Sequence, residues 1–246
     1  DISFIYTLLP DFDVTETSVP WRLLTNDGVK VDFATESGQP GQCDPLLLTG
    51  VVFGQLGGSK EAIKFHSEMI ASSEYQKPLR FDQVDFSNYD AILLPGGHAQ
   101  GMKPYLENTT IQEKIVPILK NQKKIVAAVC HGVIVLARTI DPATGKSVLF
   151  KRKSTCLPKY MERTAYYLTA WKLGRYYRTY EAYVEDEVKG VMENPKLQFE
   201  EGTPNCFGSR DEKYAYVCIH DNYISARWPG DAYAFGRAIL EKLHSL

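Results

Sequence analysis

Ile125-Val126-Ala127-Ala128-Val129-Cys130-His131-Gly132-Val133-Ile134-Val135-Leu136-Ala137 decides the fold. A short apolar, β-branched run reads as a buried strand, stops at Cys-His-Gly, and gives way to a second apolar run at helical spacing. A cysteine at such a strand-to-helix turn has the placement of a nucleophile elbow. Its sulfur points out of the sheet, and the N–H groups and dipole of the following helix favour a thiolate. His131 beside it offers a general base or a cationic partner. The competing reading is a small buried core cysteine that happens to precede a histidine.

Working outward, Asp90-Ala91-Ile92-Leu93-Leu94-Pro95-Gly96-Gly97-His98 is a second buried strand, ending in Pro-Gly-Gly. The two glycines permit positive φ and close backbone approach. With this strand beside the first, Gly96 and His98 line a pocket above the sulfur. The N–H groups of Gly97 and His131 then form an oxyanion hole. A plain strand-end turn, with His98 capping it, is the alternative.

Strands and helices alternate through the rest of the chain, which predicts an α/β fold with a mainly parallel sheet built from right-handed βαβ units. Residues 1–9 read as a strand rather than a signal peptide; the chain does not open with Met, so a removed leader stays open. A helix starts near Thr15-Glu16 and ends at Asn26-Asp27-Gly28, and residues 29–34 form the next strand. After a Gly/Pro-rich excursion over 39–58, residues 59–75 form an amphipathic helix from a Ser59 cap, and a further helix spans 105–121. Asn108-Thr109-Thr110 serves as its start signal. The stretch 159–191 breaks the rhythm with eight tyrosines and tryptophans, and reads as a helical cap over one end of the sheet, walling a pocket or a dimer surface as the less favoured role. Residues 214–219 and 223–227 pair across His220-Asp221-Asn222, before a last helix over 231–243. There is no repeat or linker, so residues 1–246 form one domain.

The 246 residues are 44% hydrophobic and 24% charged, ordinary for a globular domain with a substantial core. A net charge of −2 excludes the basic footprint of a nucleic-acid or anionic-membrane binder, and no apolar run reaches membrane-spanning length. Five widely spaced cysteines with no CxxC pair point to a reducing, cytoplasmic compartment. Cys156, Cys206 and Cys218 read as core or pocket-wall residues. His66 and His244 read as exposed helical positions, and His220 as a structural turn residue. Arg227 anchors either a carboxylate or another loop. No His/Asp/Glu cluster has metal spacing, and no cofactor is expected, an adventitious ion at the cysteine site aside.

Leu93-Leu94-Pro95-Gly96-Gly97-His98, Ala128-Val129-Cys130-His131-Gly132 and Ser225-Ala226-Arg227-Trp228-Pro229-Gly230-Asp231-Ala232 together resemble the ThiJ/PfpI superfamily in order and spacing, over nearly the whole chain. The resemblance implies a glutamine-amidotransferase-like, flavodoxin-like three-layer sandwich. The Cys-His doublet looks most like the heat-shock chaperone/glyoxalase III branch and the PfpI peptidases. By position, Glu16 matches a family carboxyl that lies against the cysteine sulfur and shares its proton; burial and like charge would raise its pKa. A helix-start carboxylate complementing the dipole is the bland alternative. Glu162 falls where the heat-shock branch carries the acid that orients the histidine, implying a Cys130-His131-Glu162 triad. Asp186 or Glu187 could supply that acid instead.

The function implied is a cysteine enzyme of the glyoxalase III type, converting methylglyoxal to lactate without glutathione. Amide or peptide hydrolysis at the same residues is the second reading, and a non-enzymatic holdase or redox sensor the third. A small aldehyde or amide is the expected partner, with no nucleic acid or membrane, in a homodimer.

Overall fold

The computed structural model describes residues 2–8, 10–51, 56–204 and 212–246, so Cys206 lies outside the described residues. In chain order the strands are β1 (Ser3–Thr7), β2 (Lys30–Thr35), β3 (Leu79–Arg80), β4 (Ala91–Leu94), β5 (Ile125–Val129), β6 (Ile140–Asp141), β7 (Lys146–Ser147), β8 (Val217–His220) and β9 (Tyr223–Ala226). Seven of them make one sheet in the order β3-β2-β1-β4-β5-β9-β8, while β6 and β7 form a separate antiparallel pair. Every neighbour in the large sheet runs parallel except β8, which returns antiparallel along β9.

The central strands are apolar along their whole length, and every residue of β4 and β5 is buried. That is the pattern of parallel strands covered on both faces. One group of helices packs the helix Val14–Asn26 between Lys60–Ile70 and Ala232–His244; a second brings Thr109–Lys120, Val133–Arg138 and Val184–Val191 together. The result is the three-layer α/β/α sandwich expected from the sequence.

Local capping sets the helix starts. Asp13 Oδ1 accepts from the N–H groups of Thr15 and Glu16, so the first helix begins at Val14, slightly before the sequence signal at Thr15-Glu16. Asn108 caps the Ile111 N–H and separates a short turn, Lys103–Leu106, from the helix Thr109–Lys120. The helix expected over 59–75 stops at Ile70, because Ser72 caps a separate turn, Ser73–Gln76. His66 is buried rather than exposed: it lies on the inner face of that helix, with its ring 6.1 Å from Phe12. His244 is exposed as expected and bonds Asp27 at 2.7 Å. The two-residue strand β3 carries too little sequence signal to be foreseen. No helix among the described residues is long and apolar enough to cross a membrane.

The aromatic stretch folds as two helices, Lys159–Leu173 and Val184–Val191, joined by the segment 174–183. The sheet register places Leu94 opposite Ala128 and Val129 opposite Ala226. The three sequence motifs therefore meet at the C-terminal ends of adjacent parallel strands, where α/β sheets place their crevices.

Candidate active site

Cys130 follows the last residue of β5 and opens a 3₁₀ turn, Cys130–Gly132, that runs into the helix Val133–Arg138. Its φ is +56°, a left-handed value that costs a non-glycine residue of order 1–3 kcal/mol and clusters at functional sites. The turn is wedged against the end of β4. A Cβ on Gly132 would strike the carbonyl oxygens of Leu94 and Pro95, the latter at 2.6 Å, so only glycine closes the elbow. A Cβ on Gly96 would lie 2.6 Å from Glu16 Oε2 and 2.7 Å from Cys130 Cβ, which fixes Gly96 as the floor between thiol and carboxyl. Gly97 packs against Met102.

Glu16, in the first turn of the first helix, is 1% exposed, and neither of its oxygens closes a hydrogen bond of good geometry. Burial, and then the charge of Asp13, hold its carboxyl well above the usual carboxylate range. Asp13 is itself pushed up to about 6 by burial. The Cys130 thiol, equally buried, is raised by desolvation first and by Glu16 and Asp13 next, with the His131 backbone N–H pulling the other way. Burial beside acidic groups therefore opposes the thiolate that the helix N-terminus favours. Burial thus favours the protonated form of both groups.

His131 is buried and neutral, its pKa driven well below the usual imidazole value by desolvation, with His98 and Arg178 adding to the effect. Its Nδ1 lies 3.5 Å from Cys130 Sγ, and its Nε2 lies 3.3 Å from Thr179 Oγ1. The Thr179 hydroxyl spends its one proton on the His98 carbonyl at 2.6 Å. Towards His131 it is an acceptor, so Nε2 carries the ring proton and Nδ1 presents a lone pair to the thiol.

The third group on His131 is thus Thr179, and the expected triad with Glu162 is not formed. Glu162 is buried, but it accepts from Arg178 Nη1 at 3.0 Å and from the Val184 N–H at 3.0 Å. Burial still pushes it up to about 7. It lies in the first turn of a cap helix, where it joins the two halves of the cap rather than facing the imidazole. Neither alternative acid reaches His131 as a partner: Asp186 pairs with Lys159, and Glu187 clasps Arg138 at 2.6 and 3.1 Å. Thr179 was invisible to sequence reasoning, since a lone threonine between tyrosines and arginine carries no motif.

Thr179 belongs to a strap in which five successive residues are tied down. The Arg175 carbonyl accepts from Gln100, Tyr176 and Tyr177 donate to the two oxygens of Asp44 at 3.0 and 2.8 Å, and Arg178 grips Glu162. The Tyr177 ring stands edge-on to His98, 5.8 Å away. The aromatic segment therefore packs as a cap and also walls the site, leaving Cys130 only 1% exposed.

The fold also gathers donors that no local spacing announces. His98, Cys130 and His131 each offer one ligand atom, all within 4.8 Å of one another, because the strand ends bring His98 across from the elbow. Arg227 anchors a carboxylate and loops together: it forms a bidentate pair with buried Asp231 at 2.9 Å and donates to the carbonyls of Thr203 and Tyr214. His220, at the end of β8, lies 3.6 Å from Asp221. Cys156 and Cys218 are buried and free.

The ThiJ/PfpI family-like model matches residues 9–216. An uncharacterised protein of Schizosaccharomyces pombe is 27% identical over 182 residues, 70% of this chain, and the match spans 66% of that protein's length. A deglycase of Thermococcus kodakarensis is 27% identical over 168 residues, covering 67% of this chain and 69% of that one. Glyoxalase III of Candida albicans has the same fold, with a TM-score of 0.70 at 18% identity over 98% of this chain and 97% of that one. With the family match running from just after the first strand to the approach of the last hairpin, the chain belongs to the ThiJ/PfpI family.

Proposed function

We propose that the chain is a cysteine-nucleophile enzyme acting on a small carbonyl compound, with glutathione-independent conversion of methylglyoxal to lactate as the specific reaction. The observation that carries this reading is the strained, buried Cys130 facing the unprotonated Nδ1 of His131 at 3.5 Å. The relatives named as deglycase and glyoxalase III support it by kind. Closure under the strap favours a substrate of few atoms over a polypeptide, because Cys130 is 1% exposed.

As Sγ bonds to the aldehyde carbon, the thiol proton moves to His131 Nδ1, and the carbonyl oxygen becomes an oxyanion facing the N–H groups of Gly97 and His131. Protonation of that oxygen gives a hemithioacetal. Removal of the proton on the same carbon and its return to the neighbouring carbon, by His131 or by Glu16 in turn, gives a lactoyl thioester. Water then cleaves the carbon–sulfur bond, releasing lactate and restoring the thiol. Two acid–base groups beside one sulfur, His131 at 3.5 Å and Glu16 across Gly96, suit a proton shuttle.

The test is lactate formation from methylglyoxal in the absence of glutathione, wild type against Cys130→Ala. Turnover lost in the variant supports the reading. No turnover from wild type while Cys130 still reacts with a thiol probe would remove this substrate and leave amide hydrolysis at the same residues as the next to assay.

A further inference from the structure

We propose that Cys130, His131 and His98 form a binding site for a soft divalent metal, zinc by donor chemistry, and that the metal reversibly silences the nucleophile. The three ligand atoms lie within 4.8 Å of one another. The separation of Cys130 Sγ and His131 Nδ1 is 3.5 Å. Two ligands on one tetrahedral zinc, with bonds of about 2.3 Å to sulfur and about 2.0 Å to nitrogen, stand about 3.5 Å apart. That pair is already spaced for a shared ion.

The third donor has freedom to close. The His98 side chain makes no hydrogen bond among the described residues; its ring is held only by stacking, 4.9 Å from the His131 ring and edge-on to Tyr177. A rotation of that ring within its aromatic slot brings a nitrogen toward the ion without breaking a polar contact. One thiolate and two imidazoles are the donor set that selects zinc or a neighbouring late first-row ion over magnesium or calcium. Binding replaces the thiol proton, which leaves to solvent, by the metal. Three protein ligands leave a fourth position for water or an added small thiol.

This inference uses the same cysteine as the proposed reaction but does not depend on the aldehyde chemistry. The probe is Co²⁺ added to the reduced full-length chain, read by absorption, followed by Zn²⁺ displacement. One equivalent should produce a thiolate-to-cobalt charge-transfer band together with the visible bands of a four-coordinate ion, and zinc should abolish both. Cys130→Ser should lose the charge-transfer band, and His98→Ala should weaken cobalt binding by more than about tenfold, since removal of even an outer-shell partner does as much. His98→Asn, with circular dichroism alongside, separates lost ligation from lost folding.

A missing band at equimolar cobalt, a band that survives Cys130→Ser, or unaltered affinity in both His98 variants would overturn the site. If wild type turns over methylglyoxal, zinc at the same stoichiometry should stop it; if it does not, the cobalt spectrum still decides.

Discussion

Replacing Thr179 by valine removes one hydroxyl and leaves the shape nearly unchanged, yet it should disable the base. In the native site the Thr179 oxygen accepts from His131 Nε2 at 3.3 Å while its proton is fixed on the His98 carbonyl at 2.6 Å. Valine leaves the buried Nε2–H without an acceptor, at about 1–3 kcal/mol. The ring relieves this by moving its proton to Nδ1, the nitrogen that faces the thiol, or by turning away from the sulfur. Either response removes the proton acceptor, and 1–3 kcal/mol corresponds to roughly a 5- to 150-fold loss of the competent form.

The assay needs no substrate. The rate of Cys130 alkylation by iodoacetamide is followed by peptide mass spectrometry, which keeps it apart from the other thiols, while ¹⁵N–¹H correlation reports the His131 tautomer. Thr179→Ser, which retains the hydroxyl, should restore most of the rate. An unchanged alkylation rate together with an unchanged Nε2–H tautomer in Thr179→Val would refute the assignment of Thr179 as the positioning residue.

Other consequences follow from the same contacts. Glu162→Gln should lower thermal stability but leave the His131 tautomer and Cys130 alkylation as in wild type, because its partners are Arg178 and the Val184 N–H; a shift in the tautomer would reinstate it as the triad acid. Arg178→Met strands that buried carboxyl and should cost about 3–5 kcal/mol by urea denaturation, with Glu162→Leu added to it recovering a large part. Glu16 is an acid whose folded pKa is raised, so its contribution to stability is full below the unfolded value and is lost as pH rises through the folded one. Glu16→Gln should therefore gain stability over wild type at pH 8 relative to pH 4, measured by melting temperature, while slowing Cys130 chemistry; an equal offset at both pH values would contradict the raised pKa. Gly132→Ala forces a methyl against the Leu94 and Pro95 carbonyls and should cost about 3 kcal/mol or more.

The architecture was legible because its signals are local and redundant. Ile125–Val129 and Ala91–Leu94 are apolar at every position, which only doubly covered strands require, and Asp13, Ser59 and Asn108 mark helix starts in side-chain chemistry. Cys130, His131 and Gly96 could be placed together for the same reason: each sits at the end of a recognisable strand. What escaped depends on tertiary contact. Glu162 has the residue type and approximate position of a triad acid, yet a buried Arg178 sixteen residues on captures it. Thr179 reaches His131 only because a strap of the cap folds back over the strand ends, and nothing in its own neighbourhood encodes that approach. The electrostatics of the thiol divide in the same way: the helix dipole can be read from a motif, but the acidic, dry surroundings that Asp13 and Glu16 give the thiol cannot.

The central claim is that Cys130 bonds covalently to a small carbonyl substrate. The most direct measurement is a rapid acid quench of the protein with methylglyoxal, which preserves the lactoyl thioester, and mapping of the peptide that contains Cys130 by mass spectrometry. The account predicts a substrate-derived adduct on Cys130 that accumulates before lactate appears and is absent when His131 is replaced by alanine. Lactate formed at the wild-type rate by Cys130→Ala, with no adduct on this peptide at any time, would contradict it.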